Sequence, residues 1–155
     1  YIGSEKNPLD DFKDQNTYTK VSIFLSVFDV HVNRMPIKGS ISSIHYIPGK
    51  FLNATLDKSS KENERNIISV KNNNDNFYIV QIAGLIARRI VCNLKTNQEV
   101  EKGERIGIIK FGSRVDLYLP ESYDILIAEG QRVVGGETII SNPKDIKKIK
   151  NSKKI

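Results

Sequence analysis

Short runs of β-branched and aromatic residues, each bounded by turn-forming residues, dominate this chain. Val21–Phe28 (VSIFLSVF) is such a run, and its length suits a strand better than a helix. Ile67–Val70 and Phe77–Ile82 flank residues 71–76 (KNNNDN), whose Asn and Asp side chains favour turns. We therefore predict a hairpin from residue 67 to residue 82 within a mainly β fold.

A weak internal repeat narrows the fold class. Residues 99–106 (EVEKGERI) resemble residues 131–139 (QRVVGGETI), because each copy has a Val, a turn with Gly and then Glu, and a returning Ile. Between the copies, Ile106–Ile109 and Val115–Leu119 are predicted strands of a central hairpin. Two quasi-equivalent strand sets predict a small β-sandwich with short helical or loop insertions. This layout resembles the barrel-sandwich hybrid of biotinyl and lipoyl carrier domains.

The net charge of +6 is concentrated at one end of the chain. Residues 141–155 contain six Lys and one Asp, a net +5, which leaves +1 for residues 1–140. A nucleic-acid-binding protein usually spreads positive charge over a folded face, so this distribution argues against such a module. The length of 155 residues favours one domain. We predict a polar N-terminal segment (1–20), a body (21–140) and a basic tail (141–155).

The cysteine and histidine content argues against a disulfide and against a zinc site. Cys92 is the single Cys and lies in an apolar stretch, which predicts a buried, unreactive thiol. Zinc sites need several Cys or His ligands, and the chain has one Cys and two His. No signal peptide or long uncharged apolar run is recognisable. The chain begins with Tyr1 rather than Met, which is consistent with a missing upstream segment.

The Gly112-Ser113 pair offers a chemical opportunity between two predicted strands. Glycine tolerates unusual backbone angles and leaves its carbonyl open, and the following Ser can place its hydroxyl against that carbonyl. Attack would convert the amide into an ester, and elimination would then split the chain. His31, at the end of a predicted strand, is a candidate base because histidine titrates near neutral pH. His45 is interpreted as a residue of the sheet surface.

Four segments together resemble the phosphatidylserine decarboxylase family in its short soluble, archaeal-type form. They are FDVHVNRMPIKGSISSIHYIPGKFLNATLDK, ENERN, QIAGLIARRIVC and KGERIGIIKFGSRVDLYLP, and the resemblance covers about Val21 to Ile140. It implies a self-processing lyase in which Ser113 attacks the Gly112 carbonyl. The products are a β chain ending at Gly112 and an associated α chain whose Ser113 becomes a pyruvoyl group. That group forms a Schiff base with the amine of phosphatidylserine, CO₂ leaves, and phosphatidylethanolamine is released.

The resemblance also implies roles for individual residues. His31 falls on the His of the family's Asp-x-His motif and is the expected base or proton donor. Arg34 stands where longer members carry a second His, and Arg34 and Arg114 are the expected ligands of the substrate phosphate or carboxylate. Arg88 and Arg89 are weaker candidates for the same role.

The acidic partner of His31 is not evident in the sequence. The family's upstream Ala-Asp-Gly segment has no counterpart, and Asp10, Asp11 and Asp14 lie in a polar region without that pattern. The acid is therefore expected either from a missing segment or from elsewhere in the chain.

The sequence leaves one alternative function open and suggests binding partners. A biotinyl- or lipoyl-type carrier domain would be modified at Lys110, although Gly112-Ser113 is the more natural hairpin tip. The expected partners are phosphatidylserine and an anionic membrane surface, with no nucleic acid, and a homodimer is compatible with the family. The tail of residues 141–155 suits attraction to anionic lipid at the cytoplasmic face of the cell membrane.

Overall fold

The computed structural model describes residues 1–9, 14–56, 58–86, 89–110 and 112–144. Within these ranges the chain forms strands and a single short helix. The elements are β1 (Ile2–Lys6), β2 (Thr17–Leu25), β3 (Val32–Arg34), β4 (Gly39–Ile47), α1 (Ser59–Glu62), β5 (Arg65–Asn72), β6 (Asp75–Ile82), β7 (Ile90–Cys92), β8 (Glu99–Val100), β9 (Arg105–Ile109), β10 (Ser113–Pro120), β11 (Tyr123–Ile125) and β12 (Ser141–Pro143). The predicted mainly β class is confirmed.

The strands form open antiparallel sheets rather than a closed barrel. The large sheet has the order β1-β2-β10-β6-β5-β4-β8, and a smaller sheet has the order β3-β9-β7. The main core packs side chains of the large sheet against Ile106 and Ile109 of the small sheet. The large-sheet members of this core are Val21, Ile41, Ile68, Val70, Phe77, Ile79, Val100, Val115, Leu117 and Leu119. Two facing sheets with a shared apolar interior are consistent with the predicted sandwich.

Three of the connections between the two sheets lie side by side at one end of the sandwich. Residues 26–31 lead from β2 to β3, residues 83–89 from β6 to β7, and residues 110–112 from β9 to β10. Because β10 lies between β2 and β6, and β9 lies between β3 and β7, the 110–112 crossover runs between the other two. The predicted functional residues His31, Gly112 and Ser113 therefore converge at this end of the sandwich.

The predicted hairpin is confirmed, whereas one strand end needs correction. Strands β5 and β6 pair through a turn in which Asn73 has a φ of 53°, a conformation that Asn tolerates better than most residues. The strand predicted from Val21 to Phe28 stops at Leu25. The Asp29 carboxylate accepts a hydrogen bond from the Ser26 amide at 2.7 Å, so the chain turns at Ser26 instead of continuing.

Only the first copy of the repeat forms strands. Around its turn at Gly103, β8 pairs with β4 and β9 pairs with β3 and β7. Residues 126–140 contain no strand, and the second copy closes on itself through a Thr138 side-chain contact to the Val134 amide. The expectation of two equivalent strand sets was therefore wrong. The predicted central hairpin was also wrong, because β9 and β10 belong to different sheets and do not pair. The same local pattern becomes a strand only where a neighbouring strand supplies hydrogen-bond partners.

The outer face of the large sheet carries a second apolar cluster. Its buried members are Tyr18, Ile67, Tyr78, Val80, Ile82 and Tyr118. The predicted N-terminal segment contributes directly to the sheet, because β1 pairs with β2 from Ile2 to Lys6. Asp14 accepts hydrogen bonds from the hydroxyls of Tyr18 and Tyr78 at this face.

Candidate active site

Gly112 and Ser113 lie where the middle crossover enters the large sheet. Ser113 is the first residue of β10, pairs with Leu25 at the end of β2, and is only 2% exposed. Gly112 has a φ of 60°, in the left-handed region that favours glycine. The Gly112-Ser113 peptide therefore combines an unusual backbone conformation with a serine hydroxyl that is shielded from water.

His31 faces Ser113 from the neighbouring crossover. Its Nδ1 lies 3.3 Å from the Ser113 Oγ, and its Nε2 lies 2.8 Å from the carbonyl oxygen of Ser26. A carbonyl oxygen can only accept, so Nε2 carries the proton and the neutral ring leaves Nδ1 as the acceptor. This tautomer, inferred from the Ser26 contact, lets Nδ1 take the hydroxyl proton of Ser113. The structure thus brings together the predicted nucleophile and the predicted base.

A tight turn positions the Ser26 carbonyl that orients His31. The amide of Asp29 donates to the Ser26 carbonyl at 3.1 Å, and the Asp29 carboxylate accepts from the Ser26 amide at 2.7 Å. Hydrogen bonds from Ser26, assisted by the charge of Arg132, hold the pKa of Asp29 below its usual value. Asp29 thus remains ionised and stabilises the turn, while the backbone carbonyl of Ser26 contacts Nε2 of His31.

A chain of buried amides secures β3, which follows His31. Asn66 Nδ2 donates to Gln81 Oε1 at 3.1 Å, and Gln81 Nε2 donates to Asn33 Oδ1 at 2.8 Å. These residues belong to β5, β6 and β3, so the chain ties the small sheet to the large one two residues beyond His31. Sequence reasoning missed this connection and the role of Ser26. A Gln inside the apolar run of β6 was the available signal, because buried polar groups need partners.

Arg114 projects to the opposite face of β10 from Ser113, since successive strand residues alternate. Its guanidinium forms a buried ion pair with Asp116, with an Nε-to-Oδ1 distance of 2.9 Å. It also donates to the carbonyls of Ala54 and Leu56. The guanidinium therefore ties the 54–56 loop to the sheet, and the predicted contact of Arg114 with substrate stays a prediction.

Arg34 lies at the end of β3 away from the crossovers. It pairs with Arg105 at the start of β9, and its Nη1 donates to the Gly103 carbonyl at 3.0 Å. A strand rises about 3.3 Å per residue, so the length of β9 separates Arg34 from the Ser113 end by roughly 13 Å. The structure does not bring Arg34 to Ser113, and its substrate-binding role also stays a prediction.

The remaining candidates occupy separate positions. Lys110 and Arg89 are exposed on the crossovers, with the Lys110 amide donating to the Arg89 carbonyl. His45 is exposed on β4, as interpreted from the sequence. Asp14, considered as an acid for His31, instead pairs with Tyr18 and Tyr78. Asp10, Asp11, Arg88 and most of the basic tail lie outside the described residues.

The described ranges contain neither a cluster of metal-ligating side chains nor a long apolar helix. Among those residues no group of three or more His, Cys, Asp and Glu side chains is placed to hold a metal ion. No helix in the same ranges is long and apolar enough to span a membrane.

The fold and the site define a mainly β protein with a serine–histidine pair at a Gly-Ser peptide whose serine is buried. Residues 2–141 match the family model described as phosphatidylserine decarboxylase. The chain therefore belongs to the phosphatidylserine decarboxylase family. No solved structure matches it significantly.

Named relatives agree with this assignment. A phosphatidylserine decarboxylase proenzyme of Wolbachia sp. subsp. Brugia malayi is 56% identical over 83% of this chain and 56% of the relative. The proenzymes of Pelagibacter ubique and Ehrlichia chaffeensis are 51% and 50% identical, over 90% and 95% of this chain and 63% and 65% of the relatives. The chain spans between half and two thirds of the length of these relatives.

Proposed function

We propose that this chain cleaves itself at Gly112-Ser113 and forms the catalytic part of a phosphatidylserine decarboxylase. The observation that carries the proposal is the 3.3 Å contact between His31 Nδ1 and the Ser113 Oγ, directly beside the left-handed Gly112. A nucleophile, its base and a conformationally unusual carbonyl are the parts that an N-to-O acyl shift requires. The word proenzyme in the names of the relatives supports a processed product.

The proposed cleavage begins with transfer of the Ser113 hydroxyl proton to His31 Nδ1. The Oγ then bonds to the Gly112 carbonyl carbon, the carbon–nitrogen bond breaks, and His31 returns the proton to the departing nitrogen. Removal of the Ser113 α-proton breaks the Cβ–Oγ bond and releases the Gly112 carboxylate. Tautomerisation and hydrolysis of the remaining enamine release ammonia and leave a pyruvoyl group at residue 113.

The residues present fit this derived cofactor. Ser113 supplies its carbon atoms, water supplies the new carbonyl oxygen, and the buried Ser113 lies beside His31. When formed, the pyruvoyl group supplies a carbonyl that takes up the substrate amine and accepts the electrons released as CO₂ leaves. His31 remains in position to hold or donate a proton at the reacting carbon.

The two product chains would stay together through the large sheet. The α chain begins with β10, which pairs with β2 along its full length and with β6 from Arg114 to Tyr118. Both neighbours belong to the β chain, so cleavage cuts one peptide bond and leaves the flanking ladders intact. A homodimer is a further expectation, and sedimentation of the purified protein tests it.

We propose phosphatidylserine in an anionic membrane as the substrate, approached through the crossover end of the sandwich. Large apolar side chains are exposed on the segments that meet at Gly112, namely Phe24, Val27, Phe28, Val30, Leu56, Leu85 and Ile86. We call this set the apolar rim. Exposed cations Lys58, Arg89 and Lys110 lie on the same loops. Apolar surface bordered by cations suits a bilayer of anionic lipid, and placement at the cytoplasmic face follows from the negative charge of that leaflet.

Mass spectrometry of the purified chain tests the proposal. We expect fragments spanning residues 1–112 and 113–155, with the second beginning in a pyruvoyl group that hydroxylamine converts to an oxime. Ser113→Ala is expected to remain one chain without decarboxylase activity. Cleavage of that variant at the same bond would refute the assignment of Ser113.

The same measurement separates the carrier-domain alternative. A biotinyl or lipoyl domain would be a single chain with added mass on Lys110. The chain's family membership and the His31–Ser113 contact do not favour that alternative. An unmodified, uncleaved wild-type chain would contradict both functions.

A further inference from the structure

Gly84 lies against the carbonyl of the peptide bond that the proposed reaction cuts. It is a buried residue of the crossover from β6 to β7. A Cβ added to Gly84 would fall 1.8 Å from the Gly112 carbonyl oxygen and 3.0 Å from its carbonyl carbon. Real Cβ atoms essentially never approach another heavy atom within 3.0 Å, so relief of this clash requires a shift of about 1.2 Å, the difference between 3.0 and 1.8 Å.

Hydrogen bonds hold the Gly84 side of this contact in place. Asn63, which is fully buried, donates from Nδ2 to the carbonyls of Ala83 at 2.7 Å and Leu52 at 2.8 Å. Its Oδ1 accepts from the Leu52 amide at 3.0 Å. The Ala83 amide also donates to the Glu64 carbonyl at 3.0 Å. Since the residue before Gly84 is anchored at both its amide and its carbonyl, a side chain at position 84 would displace Gly112 rather than its own loop.

Ala54 limits the movement of Gly84 in another direction. The position of its added Cβ is 3.5 Å from the Ala54 Cβ. The Ala54 carbonyl accepts hydrogen bonds from Arg114 Nη1 and from the Ser59 hydroxyl, each at 3.1 Å. The loop that carries Ala54 is thus fastened to β10 and α1, and the space beside the Gly112 oxygen has firm boundaries.

We propose that Gly84 is a positioning residue for self-cleavage, which keeps the Gly112 carbonyl aligned for attack by Ser113. The inference rests on the proposed function. As Oγ bonds to the carbonyl carbon, the carbon becomes tetrahedral and its oxygen gains negative charge, so the oxygen must have room to move. Because Gly84 has no side chain, the oxygen has this room. The hydrogen bonds of Asn63 hold Gly84 in position relative to His31 and Ser113.

Gly84→Ala in the 155-residue chain provides the test. The φ of Gly84 lies outside the left-handed region, so alanine adds the Cβ clash without the strain of a positive φ. A displacement of about 1 Å in a reacting group costs on the order of 100-fold in rate, and we expect cleavage at 112–113 to slow by at least that factor. Hydroxylamine, which cuts an ester but not an amide under mild conditions, should release no fragment beginning with an intact Ser113. The pH profile of residual cleavage should keep its wild-type shape, because His31 is unchanged.

Gly135→Ala is the matched control, because a Cβ there meets no atom within 4 Å and the φ is likewise outside the left-handed region. It should cleave at the wild-type rate. Cleavage of folded Gly84→Ala within 3-fold of wild type, or an altered pH profile, would overturn the proposal.

If Gly84→Ala does not fold, Asn63→Asp decides, since it removes the donor to Ala83 and keeps Gly84. Slower cleavage by folded Asn63→Asp supports the proposal, and an unchanged rate overturns it. A wild-type chain that neither cleaves nor yields a hydroxylamine fragment would refute the proposed function itself, and the role of Gly84 with it.

Discussion

Single residues at the site are oriented mainly by backbone groups. The Ser26 carbonyl determines which His31 nitrogen carries the proton, and the remaining nitrogen is the one that faces Ser113. A carbonyl oxygen can only accept, so the contact keeps a proton on Nε2 and directs Nδ1 toward the Ser113 hydroxyl. The geometry therefore suits a base that must be unprotonated before the reaction starts.

His31→Ala tests this arrangement. Without the imidazole ring, no other described side chain is in contact with the Ser113 Oγ to take its proton. General-base catalysis contributes roughly 10²–10⁴-fold to a reaction rate. We expect cleavage at 112–113, turnover, or both to slow by a factor in this range, measured by the time course of fragment formation and by release of CO₂. His45→Ala, at an exposed position of β4, is the control. Wild-type behaviour of His31→Ala in both assays would remove His31 from the site.

Alkaline stability depends on the tyrosines that surround Asp14. Burial, with the hydrogen bond to Asp14 and the charge of that carboxylate, raises the pKa of Tyr18 from 10.0 to about 12. The pKa of Tyr78 is raised for similar reasons. Burial raises the pKa of Asp14, but hydrogen bonds from Tyr18, Tyr78 and Asn16 outweigh it and hold the value below normal. The cluster is therefore most stable with neutral tyrosines and an ionised Asp14.

The raised pKa of Tyr18 makes the stability of the fold depend on pH in the alkaline range. A group whose pKa is raised on folding contributes fully below its unfolded value and loses that contribution as pH rises through the folded value. We expect the free energy of unfolding to fall between pH 10 and about 12 because of Tyr18. Tyr18→Phe should be less stable near pH 7 by about 1.5–3 kcal/mol, since a hydrogen bond to a charged group is lost. Its alkaline fall should be shallower, and urea unfolding at several pH values would measure both effects. Equal slopes for the two proteins would contradict the assignment.

At the scale of elements, β10 carries different functions on its two faces. Ser113 faces the interior between the sheets, whereas Arg114 and Asp116 form an ion pair on the other face, with 4% and 0% of their side chains exposed. The same strand thus carries the proposed nucleophile, and it anchors the 54–56 loop through the Arg114 contacts to Ala54 and Leu56. Alternation along a strand is what separates the two roles.

Breaking this ion pair should destabilise the fold more than replacing it. Asp116→Leu leaves the Arg114 charge buried, and loss of one partner of a buried pair costs about 3–5 kcal/mol. The double variant Arg114→Met with Asp116→Leu should lose less, because no unpaired charge remains. Chemical denaturation compares the two. A double variant less stable than the single variant would contradict this account. If the double variant still cleaves but has lost turnover of phosphatidylserine, a contact between Arg114 and substrate gains support.

At the scale of the whole molecule, the crossover end of the sandwich carries both the candidate site and the apolar rim. Phe28, Leu85 and Ile86 are 95%, 61% and 63% exposed. Full burial of such side chains is worth about 1.5–3 kcal/mol each. Changing the three to Ser should weaken binding to phosphatidylserine-containing vesicles by more than about 100-fold, which corresponds to roughly 3 kcal/mol. Vesicle co-sedimentation measures the effect.

A matched control lies elsewhere on the surface. Tyr46, Val134 and Ile139 are 56%, 52% and 57% exposed, and changing them to Ser should leave vesicle binding unchanged. Equal losses for the two triple variants would contradict a specific role of the rim. Removal of residues 145–155 should instead reduce the salt-dependent part of binding, at about 1 kcal/mol per Lys near an anionic surface.

Much of the fold was predictable because its signals are local. The hairpin from β5 to β6 followed from two apolar runs around an Asn-rich turn, and the mainly β class followed from the length of those runs. The repeat at 131–139 led to a wrong prediction of strands, because its turn resembles the turn at 99–106. The sequence of a segment does not specify which strands lie beside it as pairing partners. The strand from Val21 ended early because the Asp29 carboxylate bonds to the Ser26 amide.

The sequence by itself determined the mainly β composition, and it indicated Gly112-Ser113 as the candidate peptide and His31 as its candidate base, since these depend on residue type and local order. Only the tertiary structure decided that three crossovers meet, that Nε2 of His31 bonds to Ser26, and that Gly84 lies against the Gly112 carbonyl. Apart from the local Ser26 contact, whose direction depends on a turn, these contacts join segments that are far apart in the sequence, with a separation of 28 residues from Gly84 to Gly112 and of 82 from His31 to Ser113. Local chemistry selects which residues can react, and the order of strands in the sheets selects which of them meet.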